Sequence, residues 1–415
     1  MDTSRRNFLQ NSAGLALMTG APHLWIRKPM TGYTHHEIDE RVKNGKGLKG
    51  LTKADLITPC LLLDLDAFEA NVKKLAAHTQ AAGIGLRPHG KSHKCVEIAQ
   101  RQKQAGAMGL CVATVREADA MSAAGVRGLL LTSEPVGAAR IRRLLDVVRR
   151  APDTIAVVDH AVNAQDLSDA AQAAKLKLNV LVDVDPGMRR TGAPAGDASV
   201  ALAEKIMKLP GLKLRGMQCY SGVTAHVTGF ENRRNHSIQM MTPALETFAR
   251  LQKMGMPMEI LSGGSTGTYN IDPQLKGMTE LQCGSYVFMD VEYQRIGGQS
   301  GEVYTDFAVS LTVMGTVISR NYPDRMTVDS GIKSFATDRK FFADLKDVTG
   351  AKIAGVSDEH GIIMLENPSR DFKPGDRVEF IVPHCDPNVN LYDRMYCVRG
   401  EHVVDVWKIV GRHGD

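Results

Sequence analysis

Between residues 59 and 290, short apolar runs rich in β-branched residues alternate with longer stretches whose apolar positions recur at helical spacing. The runs fall at 60–65, 85–89, 109–113, 128–132, 154–158, 177–184, 213–220 and 259–262. Ala- and Leu-rich stretches at 67–82, 116–124, 138–150 and 161–176 fill the intervals. Eight runs predict an α/β fold with a closed (β/α)8 barrel of the TIM type over residues 58–295. A doubly wound open sheet would use fewer strands and carry a glycine fingerprint after the first, and none follows residue 65. Beyond residue 290 the helical period fades. Val-, Thr- and Gly-rich segments at 303–317, 325–329, 354–356, 362–365, 376–382 and 402–409 predict a mostly antiparallel β domain over 296–415. Residues 31–57 precede the first run and are a candidate to pack on that domain.

Composition changes this picture little. With 415 residues, 43% hydrophobic and 23% charged, the chain is ordinary globular material long enough for two cores. A net charge of +5 with no long basic run argues against a nucleic-acid partner, and no uninterrupted apolar stretch reaches the ~18 residues of a membrane span. A small-molecule ligand is the default expectation. Residues 1–30 differ in kind: Ser4-Arg5-Arg6-Asn7-Phe8-Leu9, followed by a weakly apolar stretch at 12–21, has the layout of a twin-arginine export signal. That route carries folded, cofactor-loaded proteins, so the expected location is periplasmic or otherwise exported, with the twin-arginine machinery as a partner. The seven cysteines are odd in number, lack CxxC pairs and sit mostly in apolar runs, so they read as buried thiols.

Candidate chemistry gathers where barrel strands would end. Lys91 stands between His89 and His93, and on a strand these three would share a face. An amine crowded by cations or held in a dry pocket loses some of its proton at neutral pH and can form a Schiff base. After the last run, Leu261-Ser262-Gly263-Gly264-Ser265-Thr266-Gly267-Thr268 offers backbone amides and hydroxyls for a phosphate dianion. Lys91 after the second run, Arg190 after the sixth, Tyr220 at the end of the seventh and this loop would meet at one barrel mouth. A phosphate anchor, a reactive lysine and polar groups around a ring describe pyridoxal 5'-phosphate.

Five motifs in order carry a resemblance. They are Thr58-Pro59-Cys60-Leu61-Leu62-Leu63-Asp64-Leu65-Asp66, Arg87-Pro88-His89-Gly90-Lys91-Ser92-His93-Lys94, the segment 183–192 containing Asp185-Pro186-Gly187-Met188-Arg189-Arg190, Ser262-Gly263-Gly264, and Pro383-His384-Cys385-Asp386-Pro387-Asn388-Val389-Asn390. From about residue 55 to the C-terminus the chain resembles the D-threonine aldolase and D-serine dehydratase family. The resemblance implies a fold type III enzyme: an alanine-racemase-like barrel plus β domain, pyridoxal phosphate, a divalent metal, and a homodimer with active sites near the subunit interface. By matching positions Lys91 resembles the Schiff-base lysine, Arg190 and Tyr220 the residues contacting the cofactor ring, and Gly264, Ser265 and Thr266 the phosphate holders. For His89 two roles stand open, shaping the cofactor pocket or satisfying core hydrogen bonds.

His384 and Asp386 are two apart, so on an extended strand they would offer one imidazole nitrogen and one carboxylate oxygen to a single cation, with Cys385 facing away. Dehydratase members resemble His-x-Cys here. Asp386 resembles the aldolases and favours Mn2+ or Mg2+ completed by water, whereas a bulged strand would bring in Cys385 and zinc. The expected reaction is retro-aldol cleavage of D-threonine or another D-3-hydroxy amino acid to glycine and an aldehyde, with His226 as candidate base. The rivals are a D-serine or 3-hydroxyaspartate dehydratase, a racemase and a non-catalytic pyridoxal phosphate carrier. Gly284-Ser285-Tyr286 and Asp290 are expected in a linker between the domains.

Overall fold

The computed structural model describes residues 32–412, so the twin-arginine motif lies outside the described residues. The first strand is β1 (Cys60–Asp64). It is followed by β2 (Gly85–Leu86), β3 (Leu110–Val112), β4 (Leu129–Leu131), β5 (Ile155–Val158), β6 (Leu178–Asp185), β7 (Ala193–Pro194), β8 (Leu212–Cys219), β9 (Ile260–Gly263) and β10 (Glu280–Leu281). The C-terminal part supplies β11 (Leu311–Tyr322), β12 (Arg325–Val328), β13 (Asp344–Leu345), β14 (Ala351–Val356), β15 (Gly361–Leu365), β16 (Arg377–Ile381), β17 (Arg394–Arg399) and β18 (His402–Lys408).

The expected barrel is present. Strands β2, β10, β9, β8, β6, β5, β4 and β3 are neighbours in that order and pair in parallel. A parallel bridge between His89 and Cys111 joins the two ends of the row. Inside, Cys111, Leu130, Ile155, Val157, Leu181 and Ile260 form a buried cluster. A barrel filled in this way leaves its loops as the place for a ligand. The outer helices follow their sequence pattern. Ala138–Arg150 buries Ile141, Leu144, Leu145 and Val148, while its arginines stay on the other face. Each buried aliphatic side chain contributes about 1.5–3 kcal/mol to that packing. Helix Val115–Ala123 starts at Thr114, whose hydroxyl accepts the Glu117 N–H at 3.1 Å.

Two strands depart from expectation. The run at 60–65 is not the first barrel strand: β1 pairs antiparallel with β11 and parallel with β17, inside the second sheet. A run buried throughout looks the same in either sheet, so its apolar character could not assign it. The missing barrel strand is β10, only two residues long, and it begins with Glu280. No helix separates it from β9; the connection holds two 3-10 turns, Thr266–Thr268 and Asp272–Gln274. Lys91 therefore follows the first barrel strand and the Gly-Ser-Thr loop follows the seventh.

The second sheet runs β14-β15-β12-β11-β1-β17-β18, with β16 on β11 and β13 on β16. All its pairs are antiparallel except β1 with β17. Residues 32–57 lie against it: Ile38, Leu51 and Leu56 are buried with Cys60, Leu62 and Val398, and Lys53 pairs with Glu379 at 2.7 Å. All seven cysteines are free and buried. Among the described residues no helix is long and apolar enough to cross a membrane.

Candidate active site

The segment after β2 does not continue as a strand. His89 has extended backbone and caps a 3-10 turn, Gly90–Ser92, that carries Lys91. His89 and Lys91 line the same hollows, whereas His93 lines neither. The ring of His89 accepts the Lys91 N–H at Nδ1 (3.3 Å), which leaves Nε2 as the donor to the Thr132 hydroxyl at 3.0 Å. That hydroxyl in turn lies 3.2 Å from the Val112 carbonyl. His93 is fully buried and accepts the Cys95 N–H. Burial lowers both histidines, His93 to about 3 and His89 well below its ordinary value with help from Lys91. The histidines thus add no positive charge beside Lys91. Tyr220 raises the Lys91 amine, burial opposes it, Asp386 adds to the rise and Arg190 is the cation that pulls it down; on balance the amine keeps its proton. Its Nζ lies 3.7 Å from Asp386 Oδ2 and 5.5 Å from the centre of the Tyr220 ring.

Lys91 stands between two adjoining hollows of about 220 and 290 Å3, which share His89, Lys91, Tyr220 and Gln282 as lining. A hollow of about 520 Å3 adjoins the 290 Å3 one at Ala113 and Ser133 and another of about 540 Å3 lies apart, and neither is lined by a histidine. The 290 Å3 hollow is completed by Ala113, Thr132, Ser133, Arg190, Thr191 and Gln218. The Arg190 guanidinium sits 5.4 Å from the Tyr220 ring centre. Its loop is tied down by Thr191 on Asp183 (3.2 Å) and by the Gly192 N–H on Asp159 (3.2 Å). At the barrel axis, Gln282 donates to Gln218 and Ser262, and Gln218 donates to Asp183.

The 220 Å3 hollow contains Ser265 and Thr266 together with Gly222, Gly284 and Ser285. The loop is braced from behind: Asp272 accepts from Thr268 and Ser237, Tyr304 donates to the Thr266 carbonyl at 2.7 Å, and Arg233 donates to the Gly267 carbonyl. Gly264 does not line the cavity. Its φ of +76° and the nearness of Leu281 and Asp272 to any added Cβ, 2.8 and 2.9 Å, make it the hinge that turns the loop inward. Gly284 and Ser285, expected in a linker, form cavity wall instead. A Cβ on Gly284 would meet the Ser92 hydroxyl at 2.5 Å. Asp290 is buried behind the wall and accepts the Cys385 and Tyr293 N–H groups, both at 2.9 Å.

His384 and Asp386 line the same hollow, but not from a strand. His384 is extended and caps a short helix, Cys385–Asn390, with Asp386 in its first turn. Pro387 explains the difference, because proline fits the start of a helix, where no intrahelical partner is needed for its nitrogen. Cys385 turns inward, and burial pushes its thiol well up. Burial would also raise Asp386, yet Lys91, His384 and Lys94 hold it well below the usual carboxylate range. The His384 Nδ1 lies 2.7 Å from Asp338 Oδ2, which leaves Nε2 as the nitrogen able to bind a metal. Among the described residues no group of three or more His, Cys, Asp or Glu is placed to hold an ion, so the pair would need water to complete a coordination shell.

His226 reaches the hollow from the turn after β8. Its Nδ1 is 3.7 Å from Glu292 Oε2, its ring is 4.8 Å from that of Tyr293, and burial lowers its pKa against the pull of Glu292. Four neighbours had no signal of their own in the sequence: Glu292, Tyr293, Asp338 and Arg339. They are scattered polar residues in two segments, brought together only by the docking of the second sheet on the barrel.

Matches to known families agree with this geometry. The alanine racemase N-terminal domain matches residues 63–292, and a putative serine dehydratase domain matches 310–398. The chain is 34% identical over 370 residues to a 3-hydroxy-D-aspartate aldolase of Paracoccus denitrificans (strain Pd 1222), covering 88% of this chain and 94% of the relative. It is 35% identical over 355 residues to a D-threonine aldolase of Arthrobacter sp, covering 86% and 92%. The chain belongs to the D-threonine aldolase and D-serine dehydratase-like family. In three dimensions it is similar to the D-threonine aldolase of Filomicrobium marinum, with a TM-score of 0.84, 34% identity and coverage of 88% and 98%. The members of this family share the alanine-racemase-like barrel and appended sheet seen here.

The site suits pyridoxal phosphate on its own terms. It offers one lysine amine at the centre, hydroxyls and glycines at one end, and a guanidinium over Tyr220 at the other. The Ser92 hydroxyl is buried without a protein partner at the cavity wall.

Proposed function

We propose that the protein is a pyridoxal-phosphate-dependent lyase that cleaves D-threonine and other D-3-hydroxy amino acids to glycine and an aldehyde with the help of a divalent metal. The observation that carries this reading is the placing of Lys91, His226 and the His384–Asp386 pair around one small cavity. Lys91 would hold the cofactor, Ser265 and Thr266 its phosphate, and Arg190 and Tyr220 its ring. Bound pyridoxal phosphate supplies an electron sink for the pair released from a broken bond at Cα. His384 and Asp386 would hold Mn2+ or Mg2+, a Lewis acid that lowers the pKa of a substrate hydroxyl. The Asp386 carboxylate is the oxygen ligand that such a hard ion takes, whereas the His384 imidazole would serve zinc as well.

His226 is the base. Burial keeps its ring neutral and so able to accept a proton, and Glu292 stands near Nδ1 to stabilise the charge that results. Loss of the β-hydroxyl proton lets the Cα–Cβ bond break, with the aldehyde leaving and Cα taking up a proton to become glycine. Asp386, standing where the resemblance places a dehydratase cysteine, supports this over dehydration; the neighbouring Cys385 thiol is buried and donates to Asp386 Oδ1 at 3.4 Å. The resemblance also implies a homodimer, which we propose with active sites near the subunit interface.

The test is an assay of the purified protein, supplied with cofactor and Mn2+, on D-threonine with and without chelator. Acetaldehyde and glycine that vanish with chelator, and with His226→Ala, support the reading. Ammonia and 2-oxobutanoate would overturn it in favour of dehydration.

A further inference from the structure

The 220 Å3 hollow has a wall unsuited to an aliphatic substrate. None of its lining residues is Ala, Val, Leu, Ile, Met or Phe. A methyl group at Cβ would meet hydroxyls, imidazoles and charges, with the rings of Tyr220 and Tyr293 as its apolar contacts. The guanidinium in this wall is Arg339; Arg190 lines only the adjoining hollow. Arg339 is braced from both sides: Nη2 donates to Glu292 and Nη1 to Asp338, each at 2.7 Å. Those carboxylates also face the two histidines, Glu292 toward His226 and Asp338 toward His384. The two acceptors do not exhaust the N–H donors of a guanidinium, and the Arg339 Nε is buried with no protein partner. Arg339 is thus held rigidly beside the proposed base and metal pair, where the β-substituent of a substrate would lie.

We infer that Arg339 selects D-3-hydroxy amino acids whose β-substituent is a carboxylate, of the 3-hydroxyaspartate type, by a charge-assisted contact. This inference rests on the proposed cleavage of D-3-hydroxy amino acids. An amino acid also carries an α-carboxylate, but that group is common to all substrates, so the comparison of two substrates separates the roles. A planar guanidinium matches a carboxylate in a way that a lysine cannot fully replace.

Arg339→Gln and Arg339→Lys should be compared with the natural protein on D-3-hydroxyaspartate and D-threonine. Arg339→Gln loosens Glu292 and Asp338 for both substrates, so the readout is the ratio: loss of a charge-assisted contact should lower kcat/KM for hydroxyaspartate by roughly 10- to 100-fold more than for D-threonine, the excess falling mainly in KM. Arg339→Lys should recover part of the loss. A second readout needs no turnover: calorimetric titration of the holoenzyme with D-malate and D-lactate, which differ by the second carboxylate. D-malate should bind at least about tenfold more tightly, and Arg339→Gln should erase the difference. An equal fall for both amino acids would assign Arg339 to the α-carboxylate and overturn the inference, as would equal binding of malate and lactate. If neither amino acid is cleaved, the cleavage reading fails, while the malate preference still decides the role of Arg339.

Discussion

Replacing Glu280 by Gln perturbs the most deeply buried ion pair below the site. Arg87 meets Glu280 in a two-pronged contact, Nε to Oε1 at 2.8 Å and Nη2 to Oε2 at 2.9 Å, with side chains only 6% and 2% exposed. The pair locks β10 to the chain just after β2, four residues before Lys91. In Glu280→Gln the amide keeps the shape but leaves a guanidinium in the interior without a counter-charge, a defect that costs about 3–5 kcal/mol. Arg87→Met strands the carboxylate and should cost a similar amount. The Gly128 carbonyl, which also contacts Arg87 Nη1, retains the Leu110 N–H and is not orphaned by that change. The double variant Arg87→Met, Glu280→Leu removes both charges and should be much less destabilised than the sum of its parts. Urea unfolding followed by circular dichroism measures all three. A cost below about 1 kcal/mol for Glu280→Gln, or simple additivity in the double variant, would refute the claim that this pair is a dry, mutually dependent charge pair.

Three further outcomes are expected. Asp338→Asn should weaken metal binding roughly 10- to 100-fold by removing the carboxylate that orients His384, measured by competition with a metallochromic dye; unchanged affinity would contradict the proposed pair. Burial raises Asp272 to about 6 from 3.8, so between those pH values the folded state holds a proton that the unfolded state has released, and stability falls as pH rises through that window. Asp290, also raised to about 6, acts in the same direction, so Asp272→Asn should flatten the slope in part; an unchanged slope in urea unfolding at pH 4.5 and 6.5 would count against it. Arg5→Lys with Arg6→Lys should hold the protein in the cytoplasm of a host with twin-arginine export, and its continued appearance outside would exclude that route.

The barrel was legible from its alternating runs because seven of its eight strands fall in such runs with helices between them. The two errors share a cause. Periodicity reports burial, not partners, so β1 counted as a barrel strand although it is buried between β11 and β17. In the same way, β10 was missed because two residues starting with a buried glutamate show no apolar run at all. At the site, the individual positions were legible while their local geometry was not. Lys91, Tyr220, Ser265, Thr266, His226, His384 and Asp386 do line one cavity. Strand geometry was nevertheless assumed at both His-containing motifs, where short helical turns occur. The charge environment of Lys91 was inverted for the same reason. Its histidine neighbours are neutral, and the group that governs it with Tyr220 is Asp386, nearly three hundred residues away in sequence. Arg339 and Asp338 could be recognised only once the second sheet was seen against the barrel mouth.

The most direct test of the central claim is proton NMR of the holoenzyme, loaded with Mn2+, acting on D-3-hydroxyaspartate in deuterated water. Retro-aldol cleavage predicts glycine and glyoxylate in equal amounts, with one deuteron at the glycine α carbon. Oxaloacetate and ammonia with no glycine would show that the site expels the hydroxyl and that the Cα–Cβ bond survives.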